Sequence, residues 1–159
     1  METDVNDDLT SLLDDLQDNF VKLVEITEND VEIDDDCLDE EALKIPKLHQ
    51  KYSVKLGKEM VNLTKISHLQ KKIYMERWKY YNGKQTDKYY AKYGIMNEKI
   101  LKSDIDKYLA ADNRLSIANQ ILEVQKQIVN YLERIIKDLT NRGFHIKSCI
   151  EWRKFEAGV

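Results

Sequence analysis

Proline and glycine are scarce. The 159 residues include one proline, Pro46, and five glycines. Tight hairpins need such residues, so a sheet protein is disfavoured and a mainly helical chain is expected. The two cysteines, Cys37 and Cys149, sit in unrelated surroundings. They read as free thiols in a reducing compartment. The three histidines, His49, His68 and His145, lie far apart, and none has ligand spacing from a cysteine or another histidine. No metal site is expected from them. No apolar run approaches the ~18 residues of a membrane span. The first eight residues are acidic, lacking the basic and apolar regions of an export signal. No GxxxxGK[ST], GxSxG, HExxH or Cys–His motif occurs. The chain therefore reads as a non-enzyme without cofactors. Asp30, Glu32, Asp34 and Glu41 match four positions of a calcium-loop register. Asp35 and Cys37 occupy its sixth and eighth positions, where Asp35 replaces the required glycine.

What is present is charge, unevenly placed. The formal net charge is only −4. Residues 1–41 hold 17 acids and a single base, Lys22, whereas residues 42–159 are net +12. The basic excess concentrates in residues 44–102, with 15 bases and 4 acids. Hydrophobic residues make up 42% of the chain, enough for a core.

Apolar residues recur at steps of three and four along three stretches. Leu9, Leu12, Leu13, Leu16, Phe20, Leu23 and Val24 predict an amphipathic helix over 8–25 with an acidic outer face. The Asp34–Asp36 run is placed to cap a second helix, which begins near Leu38 and starts or kinks at Pro46. It extends to about Tyr81 on the stripe Tyr52, Leu56, Met60, Leu63, Ile66, Leu69 or Gln70, and Ile73. Asn82-Gly83 ends it. Residues 84–94 lack a period and read as a loop. A shorter helix runs from Asn97 or Glu98 to Leu109. Asp112 caps a last long helix over 113–141, whose broad apolar face runs from Leu115 to Leu139 and which closes at Gly143. A short extended segment with Phe144 and Ile146 follows, then a final helix capped by Ser148. The stripes exceed what one chain of this shape covers, so self-association is expected.

The densest local signal is residues 71–92. Lys71, Lys72, Arg77, Lys79, Lys84, Lys88 and Lys92 alternate with Tyr74, Trp78, Tyr80, Tyr81, Tyr89 and Tyr90, opposed only by Glu76 and Asp87. Basic side chains attract phosphates, and exposed rings stack on unpaired bases at about 1–3 kcal/mol each. The mixture suits single strands better than duplexes. The structural alternative places Tyr74, Trp78 and Tyr81 in a core and leaves the lysines as a solvated face.

Arg142-Gly143-Phe144-His145-Ile146-Lys147, followed by Arg153-Lys154-Phe155-Glu156-Ala157-Gly158, is similar to the RGFxIK … RxFEAG ending of the UvsY family of phage recombination mediators. Gln70-Lys71-Lys72, Arg77 and Tyr80-Tyr81-Asn82-Gly83 match further pieces, as does Leu109-Ala110-Ala111-Asp112-Asn113-Arg114-Leu115. Asp30-Val31-Glu32-Ile33-Asp34 is a fainter echo. The clear resemblance spans about residues 70–158, and the first ~17 residues look like an acidic extension.

The resemblance implies an all-α, non-catalytic protein of a T-even-like phage, acting in the host cell cytoplasm. It implies binding to single-stranded DNA and a ring-like homo-oligomer, a hexamer or heptamer. It also implies loading of a phage RecA-like recombinase onto strands covered by the phage single-strand-binding protein. Family DNA binding involves basic residues just ahead of the tyrosine pair. Arg77 matches one of them and Met75 occupies the other, where Lys71, Lys72 or Lys79 can substitute. Expected nucleic-acid contacts are thus Lys71, Lys72, Arg77, Lys79, Tyr80, Tyr81, Lys84 and Lys88. The family's C-terminal part is associated with assembly, which assigns Ile121, Ile128, Leu132, Ile135 and Leu139 to the oligomer interface. Three regions follow: an acidic extension over 1–29, a basic, tyrosine-rich DNA-binding region over 30–94, and a helical assembly region over 95–159. A helical scaffold that never touches nucleic acid is the alternative. The acidic stretch is expected either to compete with DNA for the basic half or to act as a solvated helix.

Overall fold

A computed structural model describes residues 7–96 and 100–158. The described residues form five α-helices and no strand: α1 (Asp7–Val31), α2 (Leu38–Tyr81), α3 (Asp87–Tyr93), α4 (Ile105–Ala110) and α5 (Asn113–Glu156). The chain divides into two compact units. One comprises Met1–Asp18 and Asn62–Lys126, the other Asn19–Val61 and Gln127–Val159. Both units are therefore assembled from segments distant in sequence.

The first unit buries Leu9 and Leu13 of α1 with Ile73 of α2, Ile105 and Leu109 of α4, and Leu115, Ala118 and Ile121 of α5. Leu12, Ile66, Trp78 and Tyr81 pack around this cluster. The opposite face of α1 leaves Asp8, Asp14, Asp15 and Asp18 exposed. The acidic start of α1 is thus a docked helix with a charged outer side.

The second unit buries Leu23, Leu38, Tyr52, Ile128, Val129, Leu132, Leu139 and Ile146. Here α1 continues to Val31, six residues past its predicted end. Polar residues prolong its buried stripe, which an apolar count does not register. Thr27 is buried and its hydroxyl donates to the Leu23 carbonyl at 2.7 Å. Asp30 accepts hydrogen bonds from the Tyr52 hydroxyl, at 2.7 Å, and from Lys51. Burial pushes the Tyr52 phenol up to about 12, and its bond to Asp30 adds to this. Arg142 donates to the carbonyls of Val31 (3.3 Å) and Glu32 (3.1 Å) and to Glu41 Oε2 (2.6 Å). That buried pair fastens the α1–α2 connection to α5.

The start expected near Leu38 holds, and two other expectations change. Pro46 lies inside α2, whose helix begins at Leu38 and continues through it. Residues 87–93 are helical, where a loop was expected. The Thr86 hydroxyl accepts from the Tyr89 N–H at 3.3 Å and caps α3, and Gly94 closes it at φ 85°. The expected start of the next helix, at Asn97 or Glu98, lies outside the described residues. Within them, α4 begins only at Ile105.

The largest correction is at the C-terminus. No extended segment separates two helices there, because α5 runs unbroken to Glu156. Gly143 has no positive φ, unlike Gly83, Gly94 and Gly158. Buried Leu139, Arg142 and Ile146 continue the stripe at steps of three and four. The Phe144–Ile146 alternation is two sides of one helix, with Phe144 71% exposed.

Candidate nucleic-acid interface

The basic segment is built on the end of α2. That end is a Schellman closure: the Gly83 N–H bonds the Tyr80 carbonyl at 3.1 Å and the Lys84 N–H bonds the Lys79 carbonyl at 2.8 Å. Gly83 takes φ 65°, which only glycine adopts without strain. The turn is then tied back to α2. The Gln85 side chain donates to the Glu76 carbonyl at 2.8 Å, and the Gln85 N–H donates to the Tyr90 hydroxyl at 3.2 Å.

Helix geometry sorts the basic residues of α2. At about 100° per residue, Lys65, His68, Lys71, Lys72, Met75 and Lys79 fall within an arc of about 120°. All six are exposed. Met75, 52% exposed, lies mid-arc. Ile66, Ile73, Arg77 and Tyr80 lie on the opposite side, toward the core. Tyr74 and Trp78 flank the lysine arc; Tyr74 is exposed and Trp78 partly so. Beyond the helix, Lys84 and Lys88 are also exposed, and the Lys84 ammonium sits 5.6 Å from the Trp78 ring centroid. Among the described residues, none of Lys71, Lys72, Lys79, Lys84 and Lys88 forms an ion pair.

Arg77 and the tyrosine pair are placed differently from the lysines. The Arg77 side chain is 12% exposed, and its Nε donates to Asp112 Oδ2 at 2.6 Å. The same oxygen accepts from the Tyr81 hydroxyl at 2.7 Å. The other carboxylate oxygen accepts from the Leu115 N–H at 2.8 Å and caps α5. The guanidinium carbon lies 4.4 Å from the Tyr80 ring centroid, 5.3 Å from that of Tyr81 and 5.8 Å from that of Tyr93. Tyr80 is 9% exposed and packs against Tyr81, Tyr89 and Tyr90. Tyr89 stacks on Tyr93 at 4.3 Å.

Burial works against the Arg77 charge. The Tyr89 and Tyr81 hydroxyls and the Asp112 carboxylate outweigh it, and the guanidinium pKa is raised. Burial also pushes the Tyr81 phenol up to about 12, with its bond to Asp112 adding to the shift. Tyr80 therefore does not present an open ring face for base stacking, contrary to the sequence-based expectation, and Tyr81 is only partly exposed. The alternative of partly buried aromatics beneath a lysine face fits Trp78 and Tyr81, but not exposed Tyr74. The part missed from sequence was the role of Asp112 beyond capping, and the arc centred on Met75 was legible in helical spacing.

The predicted assembly residues are also placed. Ile121, Ile128, Leu132 and Leu139 are buried within the single chain, and Ile135 is half-buried. Their face is taken up by the chain's own packing. The large apolar side chains that α5 leaves outward are Phe144, Trp152 and Phe155.

No group of three or more metal-ligating side chains is found among the described residues. No described helix is long and apolar enough to cross a membrane. The open groove beside Tyr74 carries Asp106 and Glu123 and is unsuited to a polyanion.

Residues 26–159 match the profile of a family described as "Recombination, repair and ssDNA binding protein UvsY". The chain belongs to the UvsY family. The UvsY family is a family of recombination, repair and single-stranded-DNA-binding proteins, not of enzymes. The UvsY match leaves out residues 1–25, which include most of α1. Among solved structures, the bacteriophage T4 recombination mediator protein UvsY in lattice type II aligns with TM-score 0.74 and 24% identity, covering 86% of this chain and 96% of that one. Its lattice type IV form aligns with TM-score 0.74 and 22% identity, covering 86% and 98%. At these identities the likeness establishes the UvsY fold. No curated protein sequence matches.

Proposed function

We propose that this chain is a recombination mediator that grips single-stranded DNA on the outer face of α2. Lys71, Lys72 and Lys79 on that face, with Lys84 and Lys88 beyond it, attract the phosphates. Tyr74 and Trp78 at its edge supply base stacking. The observation that carries this reading is the arc of exposed lysines without ion pairs among the described residues, in a member of a single-stranded-DNA-binding family. A phosphate there displaces solvent and counterions, with no internal carboxylate to compete.

The mediator holds the strand as a ring-like homo-oligomer. A ring multiplies a weak grip per subunit through effective concentration. It then hands strands covered by single-strand-binding protein to a phage RecA-like recombinase in the host cytoplasm. Phe144, Trp152 and Phe155 supply the apolar contact between copies.

The test is fluorescence anisotropy with labelled oligo-dT across a range of salt. Wild-type affinity is expected to fall steeply with salt. Lys72→Ala with Lys79→Ala flattens the log–log slope by about 1.4, at about 0.7 per single-strand phosphate contact. An unchanged slope removes these lysines from the contact, and no binding at low salt favours the helical scaffold.

A further inference from the structure

We propose that Arg77 is a positioning residue that holds α3 and its turn against α2, rather than a phosphate contact. The proposal rests on the DNA-binding reading above for what is positioned. Three observations carry it. First, Arg77 points away from the lysine arc, into a cluster where one Asp112 oxygen already accepts both its Nε and the Tyr81 hydroxyl. A phosphate would have to displace a buried carboxylate at 2.6 Å. Second, the guanidinium is surrounded by rings from both sides of the turn. Tyr80 and Tyr81 belong to α2, whereas Tyr93 belongs to α3. Rings of the two helices also meet directly, as Tyr80 with Tyr89 and Tyr90. Third, apart from these ring contacts and the Gln85 bonds to Glu76 and Tyr90, α3 has no core residue to hold it. Its Asp87, Lys88 and Lys92 face solvent.

A planar, delocalised cation suits this place as an ammonium does not. Arginine packs flat between rings while donating in its own plane, and it keeps its charge despite burial. Lysine has one compact donor centre and cannot both stack and bridge. The hub thus sets where Lys84 and Lys88 stand relative to the lysines of α2.

The experiment combines Arg77→Lys with the double variant K84A/K88A and reads two quantities. Hydrogen exchange reports the hold on residues 84–94, and oligo-dT anisotropy reports binding at a temperature where every variant is folded. Arg77→Lys keeps the charge. It is expected to speed exchange across 84–94 about tenfold, leaving residues 127–150 unchanged. It lowers oligo-dT affinity several-fold in the wild-type background and hardly at all in K84A/K88A, because both changes remove the same contribution. Tyr81→Phe removes one hydroxyl from the hub. It should repeat the pattern in weaker form, which keeps the question decidable if Arg77→Lys does not fold. Equal loss in both backgrounds would make Arg77 a direct strand contact and overturn the proposal. Unchanged exchange at 84–94 would overturn it as well. If K84A/K88A binds like wild type, the assignment of DNA contacts beyond α2 fails, while the exchange result still judges the hold on α3.

Discussion

Replacing Leu132 by alanine tests whether the long apolar face of α5 serves the single chain or a contact between chains. Leu132 is 0% exposed, between buried Val129 and Leu139 on α5. The truncation removes a fully buried branched side chain and leaves a cavity where the surrounding helices cannot collapse freely. Such substitutions cost 2–5 kcal/mol, and about 3 kcal/mol is the central expectation. For a chain of this length, each kcal/mol lowers Tm by roughly 2–4 °C, so the loss is about 6–12 °C. Thermal melts followed by far-UV circular dichroism, repeated over a wide range of protein concentration, provide the assay. The drop is expected at every concentration, because the lost contacts lie within one chain. Leu43→Ala is the control: with its side chain 80% exposed, it changes stability by no more than about 0.5 kcal/mol at any concentration. If Leu132→Ala keeps the wild-type Tm when dilute and loses stability only when concentrated, the residue packs between chains. The reasoning would then be refuted.

Two further outcomes follow from the same structure. Gly143→Ala is expected to stabilise by about 0.5–1 kcal/mol, since Gly143 lies inside α5 and the added Cβ would meet only Ile45 Cδ1, at an ordinary 3.8 Å. A lower Tm for this variant would restore the helix end that glycine at this position predicts. Below about pH 4, stability should fall through Glu41 and Asp30. Hydrogen bonding to Lys44 and the charge of Arg142 hold the Glu41 carboxyl below its ordinary value. At Asp30 burial pushes the other way, but Lys51 and Tyr52 outweigh it. A folded pKa below the unfolded one stabilises the native state above the unfolded value, and this is lost as pH falls through the folded value. Acid melts of Glu41→Gln should show a shallower decline than wild type, and equal slopes would remove Glu41 from the effect.

Helical identity was readable wherever an apolar stripe was long. The steps along 9–24, 52–73 and 115–139 required no tertiary information, because amphipathic period and burial are the same property seen twice. Boundaries were legible where a local device ended the helix. Gly83 closes α2 and Asp112 caps α5 through backbone bonds that neighbouring residues make by themselves. They were illegible where polar groups carried the stripe onward. Thr27 extends α1 with its buried hydroxyl on the Leu23 carbonyl one turn back, whereas Asp30 extends α1 and Arg142 extends α5 through partners distant in the chain. Gly143 illustrates the limit: the same residue ends a helix or continues one, according to whether Arg142 and Ile146 find a core beyond it.

Charge shows the same division. Composition and spacing alone establish a basic, aromatic segment over 71–92 behind an acidic start, a mixture that suits either single-stranded nucleic acid or a solvated lysine face over a core. Which of those residues meets solvent depends on packing from elsewhere in the chain. Asp112, 35 residues beyond Arg77, draws that arginine inward, and Tyr80 and Tyr81 close around it. The lysines have no such partner among the described residues and stay outside. Arg77 and Lys79 are two residues apart and look equivalent in sequence. A helical turn of about 200° between them, with the Asp112 carboxylate on one side only, makes one a largely buried anchor and leaves the other exposed.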